Sequence, residues 1–202
     1  PRSTLFPYTT LFRSFDGFIT RNQLQRVIVD DSDYESIKNS FVHGQLSSGL
    51  VKKLRRIIQI LDSPLAIRSS GLFEDSLMQP FAGIFDTYVI PNNHDSVEVR
   101  LEQLTTAIKL VFASVYSKIA RGYIKAINYR IEQEKMAIVI QELVGNRYDD
   151  YFYPHISGVA QSYNYYPIGN MTPDDGFAIA ALGLGKYVVE GEKAFRDRKS
   201  VV

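Results

Sequence analysis

Cysteine is missing from the chain altogether, which excludes disulfides and thiolate chemistry and fits a reducing, cytoplasmic compartment. Long hydrophobic runs are missing too. No window approaches the roughly 18 apolar residues of a membrane span, so no membrane partner is expected. Charge of one sign is equally scarce. Lys and Arg number 23 against 22 Asp and Glu, and they are scattered along the 202 residues rather than clustered. A basic face for nucleic acid or an anionic membrane is therefore not expected. What is present is a 45% hydrophobic share, enough to bury a real core in one compact domain or two small lobes.

The two ends read differently from the body. Residues 1–14 (PRSTLFPYTTLFRS) lack an initiator Met, show neither helical nor strand periodicity, and have none of the features of a signal peptide. They resemble translated adapter sequence, and residues 197–202 (DRKSVV) raise the same suspicion. Both ends are expected to be non-native, with the natural gene longer in each direction; a pair of disordered tails is the alternative.

From Phe15 to about Leu61 the chain is expected to be helical. Asp31-Ser32-Asp33 offers N-cap residues ahead of Glu35 and Ile37. After a break at Ser47-Ser48-Gly49, Leu50, Val51, Leu54, Ile57, Ile58 and Leu61 have the spacing of an amphipathic helix. Lys52, Lys53, Arg55 and Arg56 fall largely on its other face, read as solvated. Asp62-Ser63-Pro64 ends that helix, because the residue before a proline is pushed out of the helical region.

Residues 62–196 are expected to form one further domain. Leu65-Ala66-Ile67 reads as a short strand running into Arg68-Ser69-Ser70-Gly71, and Asp86 to Ile90 as a second strand stopped at Pro91-Asn92-Asn93. Asp95-Ser96 can cap the longest helix, carrying a stripe at Leu101, Leu104, Ile108, Val111, Phe112, Val115 and Ile119. Strands follow at Met136 to Leu143, from Ser157-Gly158 through Ser162 and Tyr163, and at Phe177 to Leu182, with a turn at Pro173-Asp174-Asp175-Gly176. Helices first and strands later predict an α+β domain around a mixed or antiparallel sheet.

The segment Pro64 to Tyr88 carries the most chemistry. An arginine leaving a buried strand, followed by two hydroxyls and a glycine, suits an oxyanion: Arg68 supplies a planar charged fork, Ser69 and Ser70 neutral donors. Glu74-Asp75 follows, and Phe81-Ala82-Gly83 offers a loop able to close over a ligand. An arginine salt-bridged to Glu74 or Asp75 in a turn explains the same residues.

Taken together, Ile67-Arg68-Ser69-Ser70, Glu74-Asp75 and Phe81-Ala82-Gly83 resemble the V-R-S-S, E-D and F-A-G stretch of the pyruvate phosphate dikinases and phosphoenolpyruvate synthases. Ile138 to Val144 (IVIQELV) is similar to that family's V-Q-x-M-V strand. Ser157-Gly158-Val159-Ala160 and Gly183-Leu184-Gly185-Lys186-Tyr187-Val188-Val189-Glu190-Gly191 are similar to its S-G-V and G-L-G-E-x-V-V-x-G blocks, except that Lys186 reverses the usual Glu. The blocks run from about Pro64 to Gly191 in family order.

The resemblance implies an ATP-grasp-like nucleotide-binding fold, incomplete at both ends. It implies ATP as cofactor, with Arg68 as the catalytic residue on the phosphates and Ser69, Ser70, Glu74, Asp75 and Gly83 around them. Gln141 and Glu142 would lie at the adenine edge, and Gly183 and Gly185 beside the nucleotide. The implied reaction passes phosphate from ATP to a histidine on a separate domain and then to pyruvate. His43, His94 and His155 sit in no such Gly- and Thr-rich motif. The acidic segment for Mg²⁺ is expected downstream, and the Gly-Gly-Lys motif is not visible. This fragment alone is therefore expected to be a poor catalyst. A relative with another acceptor, or a non-catalytic nucleotide-binding regulatory module, remains open.

Overall fold

The computed structural model describes residues 8–29, 33–71, 83–127, 131 and 134–185. It divides into two compact units, residues 1–143 and 144–202. The first opens with four helices, α1 (Tyr8–Arg21), α2 (Gln25–Val29), α3 (Tyr34–His43) and α4 (Ser48–Ile60). Strands β1 (Leu65–Gly71) and β2 (Tyr88–Ile90) follow, then helices α5 (Val97–Ser114) and α6 (Lys118–Ala126), and strand β3 (Met136–Glu142).

Local chemistry explains most of these boundaries. Ser47 caps α4, its hydroxyl accepting the Leu50 N–H at 3.2 Å, and Leu54 and Ile58 turn into the core as the periodicity requires. Asp33 stands at the N-cap of α3 without a side-chain bond to it. On the outer face of α4, Arg55 forks onto both carboxylate oxygens of Glu98 in α5, which raises the guanidinium's affinity for its proton and holds the Glu98 carboxyl below its ordinary range.

Three expectations need correction. Residues 8–14 lie in α1, the helix that brings Phe15, Phe18 and Ile19 into the core, although their own pattern signals no helix. The long helix stops at Ser114; Ser117 caps a new one by accepting the Ala120 N–H at 3.1 Å. Ile119 thereby leaves the apolar stripe and stands 72% exposed on α6. The strand begun at Leu65 does not end at Ile67 but runs through Gly71, because β3 pairs with it along its whole length.

The sheet order is β2-β1-β3, all antiparallel, with Ile67 opposite Tyr88 on one side and Ile140 on the other. Helices α1 and α5 cover one face. Their Phe15, Phe18 and Phe112 meet Phe41 of α3 and Tyr116 in a ring cluster with centroid separations of 5.1 to 5.7 Å. Leu65, Ile67, Ile138 and Ile140 close this core from the sheet side, each buried apolar side chain contributing about 1.5–3 kcal/mol.

Among its described residues, the second unit forms two antiparallel ribbons. Strand β4 (Asn146–Tyr148) pairs with β5 (Tyr151–Tyr153) around a turn in which Asp149 has φ +51°. Strand β6 (Ile156–Gln161) pairs with β7 (Phe177–Leu182). The β6 strand starts one residue before Ser157, so Ser157-Gly158 lies within it. Between them, Thr172 and Asp175 form a reciprocal capping box on a short 3₁₀ turn, Pro173–Asp175, and Gly176 leads into β7. The architecture is α+β, with small antiparallel sheets and one long helix.

Candidate functional site

Strand β1 is held from both ends of its approach. Asn92, only 1% exposed, donates from Nδ2 to the carbonyls of Leu61 (2.9 Å) and Ser63 (3.0 Å), clamping the segment that enters the strand. The Leu143 N–H donates to Pro64 O at 2.9 Å and sets the register of β3 from its far end. Sequence reasoning assigned Asn92 only to a strand-ending turn. Its φ of +49°, a conformation Asn tolerates better than most residues, is what lets the side chain fold back.

That register decides which side chains share a face, because strand residues alternate. Ala66 stands opposite Gln141, and Arg68 opposite Val139; Ser70 follows on the same face. Arg68 is exposed there and donates from Nη1 to Gln141 Oε1 at 3.4 Å, a long and weak bond. Ser69 stands opposite Ile138, and Glu142 opposite Leu65, on the other face of the ladder. Of the expected set, Arg68, Ser70 and Gln141 are brought together, while Ser69 and Glu142 are turned away from them. Glu74, Asp75, Phe81 and Ala82 lie outside the described residues.

Gly83 marks the end of the connecting loop, with φ +79°. Just beyond it, Asp86 Oδ2 accepts from Tyr34 OH at 3.4 Å and Tyr88 OH at 3.3 Å, tying the entry of β2 to α3. Burial, then the Asp86 charge, pushes the Tyr88 phenol up to about 12 and raises that of Tyr34 as well. These tyrosines were not foreseen. The aromatic pair flanking an acid in the final structure is dispersed over more than fifty sequence positions, as the 52-residue separation of Tyr34 and Asp86 illustrates.

Gly183 and Gly185 belong to the second unit. Gly183 has φ +77°, donates its N–H to His155 O at 3.1 Å, and accepts the Ser157 hydroxyl at its carbonyl at 2.7 Å. A Cβ on Gly185 would come within 2.8 Å of Ser157 Cβ. Both glycines are therefore accounted for by the closure of the β6–β7 ribbon. His155 also meets Tyr148 OH through Nε2 at 2.6 Å, and Tyr148 stacks on Tyr153 at 4.5 Å.

As chemistry, the face around Arg68 offers a fixed positive charge, a hydroxyl and an amide, a set that suits a phosphate oxygen. It does not suit a divalent cation. Among the described residues no group of three His, Cys, Asp or Glu could hold a metal, so Mg²⁺ finds no ligand set there. Nor, among them, is any helix long and apolar enough to cross a membrane.

Residues 13–198 match the family described as pyruvate phosphate dikinase, AMP/ATP-binding domain. The chain belongs to that family. The resemblance read from the Arg68, Gln141 and Gly183 blocks is thereby borne out, and the domain is a nucleotide-binding one. The chain is 30% identical over 185 residues to the uncharacterized phosphotransferase YvkC of Bacillus subtilis (strain 168), covering 87% of this chain and 20% of that protein. It is 28% identical over 142 residues to a phosphoenolpyruvate synthase of Aeropyrum pernix, covering 70% of this chain and 15% of that protein. This dikinase-family chain thus spans a fifth or less of the length of either relative.

Proposed function

We propose that the chain is the ATP-binding portion of a dikinase-type phosphotransferase on an ATP-grasp-like frame, with Arg68 as the residue that holds the ATP phosphates. The observation that carries this reading is Arg68 itself: in a chain of the dikinase nucleotide-binding family, it stands exposed on the sheet face with Gln141 as its hydrogen-bond partner among the described residues. Ser70 adds a hydroxyl on that face, and Gln141 engages the guanidinium only weakly, leaving its donors to phosphate oxygens. In this reading Glu74, Asp75 and Gly83 keep the nucleotide-binding role that the family resemblance implies. Ser69 and Glu142 act at most through the backbone of their strands.

In the intact protein, phosphate passes from ATP to a carrier histidine on another domain and on to pyruvate, in the cytoplasm. Mg²⁺ would be held by residues other than the described ones. The chain alone then has negligible phosphotransferase activity, because phosphoryl transfer needs metal and positioned charge together. Calorimetric titration of the chain with ATP and Mg²⁺, beside Arg68→Ala, tests the reading. Saturable binding weakened about tenfold or more by the substitution supports it, the scale expected for loss of a charge-assisted phosphate contact. Equal binding by both proteins, or AMP formation by the chain alone, overturns the respective part.

A second reading, a non-catalytic nucleotide-binding regulatory module, is favoured by one observation, the absence of a metal-holding acidic group among the described residues. Assay of the full-length gene product for ATP- and pyruvate-dependent phosphate transfer separates the two.

A further inference from the structure

On the side of the sheet away from Arg68, the first unit contains a pocket of about 370 Å³, within the ~300–1,000 Å³ of small-molecule sites. Its floor is apolar, built by Ile138 and Ile140 of β3 and by Ile108 and Phe112 of α5. Ile138 and Ile140 pair with Ser69 and Ile67, whereas Arg68 pairs with Val139, so strand alternation separates this pocket from the proposed phosphate face.

Two cations also line it, Arg21 from the last turn of α1 and Lys53 from α4. Both are exposed, neither has an ion pair or hydrogen bond among the described residues, and no Asp or Glu lines the pocket. Three other cations of this unit do meet carboxylates: Arg55 with Glu98, Lys135 with Asp16 at 2.7 Å, and Lys38 with Glu35 at 3.1 Å. Two cations lining one apolar cavity with no acid beside them favour an anionic occupant. The first turn of α4, through Ser47 and Gly49, adds the positive end of a helix dipole to the same wall.

We propose that this pocket binds an amphiphilic anion, a carboxylate on a medium-length apolar tail, with the head between Arg21 and Lys53 and the tail on Ile108, Phe112, Ile138 and Ile140. Charge complementarity selects this occupant: the floor takes any apolar group, and the unpaired cations specify the sign of its head. The site is distinct from the one proposed for ATP and shares no residue with it.

Decanoate, titrated calorimetrically into the full chain below its micelle concentration, is the probe, with decyltrimethylammonium as the same tail bearing the opposite charge. One-to-one decanoate binding is expected, with little binding of the cation. Replacing both Arg21 and Lys53 with Ala weakens decanoate about tenfold or more, while Arg56→Ala, on the same helix but outside the pocket, leaves it unchanged. Gly17→Leu, at a position where an added Cβ meets nothing within 4 Å, fills the pocket from α1 and weakens binding without unfolding the chain, as circular dichroism reports. Absence of saturable binding overturns the proposal, as does equal affinity for the two amphiphiles or indifference to the double substitution. Concentration-dependent self-association that decanoate reverses would instead make a second copy the occupant, and also overturns it.

Discussion

Two regions of this chain reach order by different routes. In the first unit Phe41, Ile58, Leu65, Ile67, Leu104 and Val111 are wholly removed from water, and the helices and sheet share one apolar cluster. In the second unit, among the described residues, only Asn164 and Gly176 are buried; Tyr151, Ile156, Tyr166 and Leu182 are exposed. Its ribbons are specified instead by ladder hydrogen bonds, a capping box and glycine geometry at Gly183. Hydrophobic burial is cooperative over many residues, whereas backbone geometry acts locally. Substitutions should therefore be felt in proportion to area in the first unit and to backbone conformation in the second.

The strongest way to break this contrast is a matched pair of truncations. Phe41→Ala should cost about 3–5 kcal/mol in denaturant unfolding, the usual loss for a buried aromatic. Ile179→Ala, at a side chain 47% exposed, should stay within about 1 kcal/mol. Comparable losses at both positions would mean that the ribbon is buried in solution. A smaller effect runs the other way. Gly183→Ala removes no apolar contact, yet forces an L-residue to φ +77° and should cost about 1–2 kcal/mol, read as faster amide exchange confined to the β6–β7 ribbon. Unchanged exchange there would show that the ribbon is held by something other than its turn geometry.

The smallest effect concerns polar groups sheltered by the first unit. Tyr88 titrates near 12, above the ordinary tyrosine value of about 10, so folding favours its neutral form. Its contribution to stability is complete below the ordinary value and is lost as pH rises through about 12. Tyr34 shifts in the same direction. Ultraviolet titration of the phenols should show a late alkaline component that shrinks in Tyr88→Phe; an unaltered curve would remove the Asp86 cluster as a sheltered site.

How much of this was legible beforehand depends on the range of the interaction involved. The Leu50–Leu61 stripe and the Phe177–Leu182 run announced α4 and β7, because periodicity acts within a few residues, whereas Ser47, read only as part of a break, turned out to be the cap of α4. The end of α5 was missed although Ser117 signals it, since the apolar spacing continues to Ile119 and periodicity alone cannot separate two successive helices. The β4–β5 ribbon was missed as well: its turn uses Asp149 and Asp150 in place of the Asn-Gly or Asp-Gly pair that marks tight hairpins. In the candidate site the family blocks were legible as blocks, and the pocket between α1, α4 and α5 was not, since no short segment contains it.

The amino-acid sequence alone determined the family, the helical stripe of α4 and the presence of a strand around Arg68. Only the tertiary structure decided that this strand continues through Gly71, that Arg68 shares a face with Ser70 and Gln141, and that Ser69 and Glu142 do not. The physical reason is the two-residue period of a strand. Shifting β1 against β3 by a single residue would exchange the two faces, and the register rests on long-range pairing and the Asn92 and Leu143 clamps rather than on any local motif.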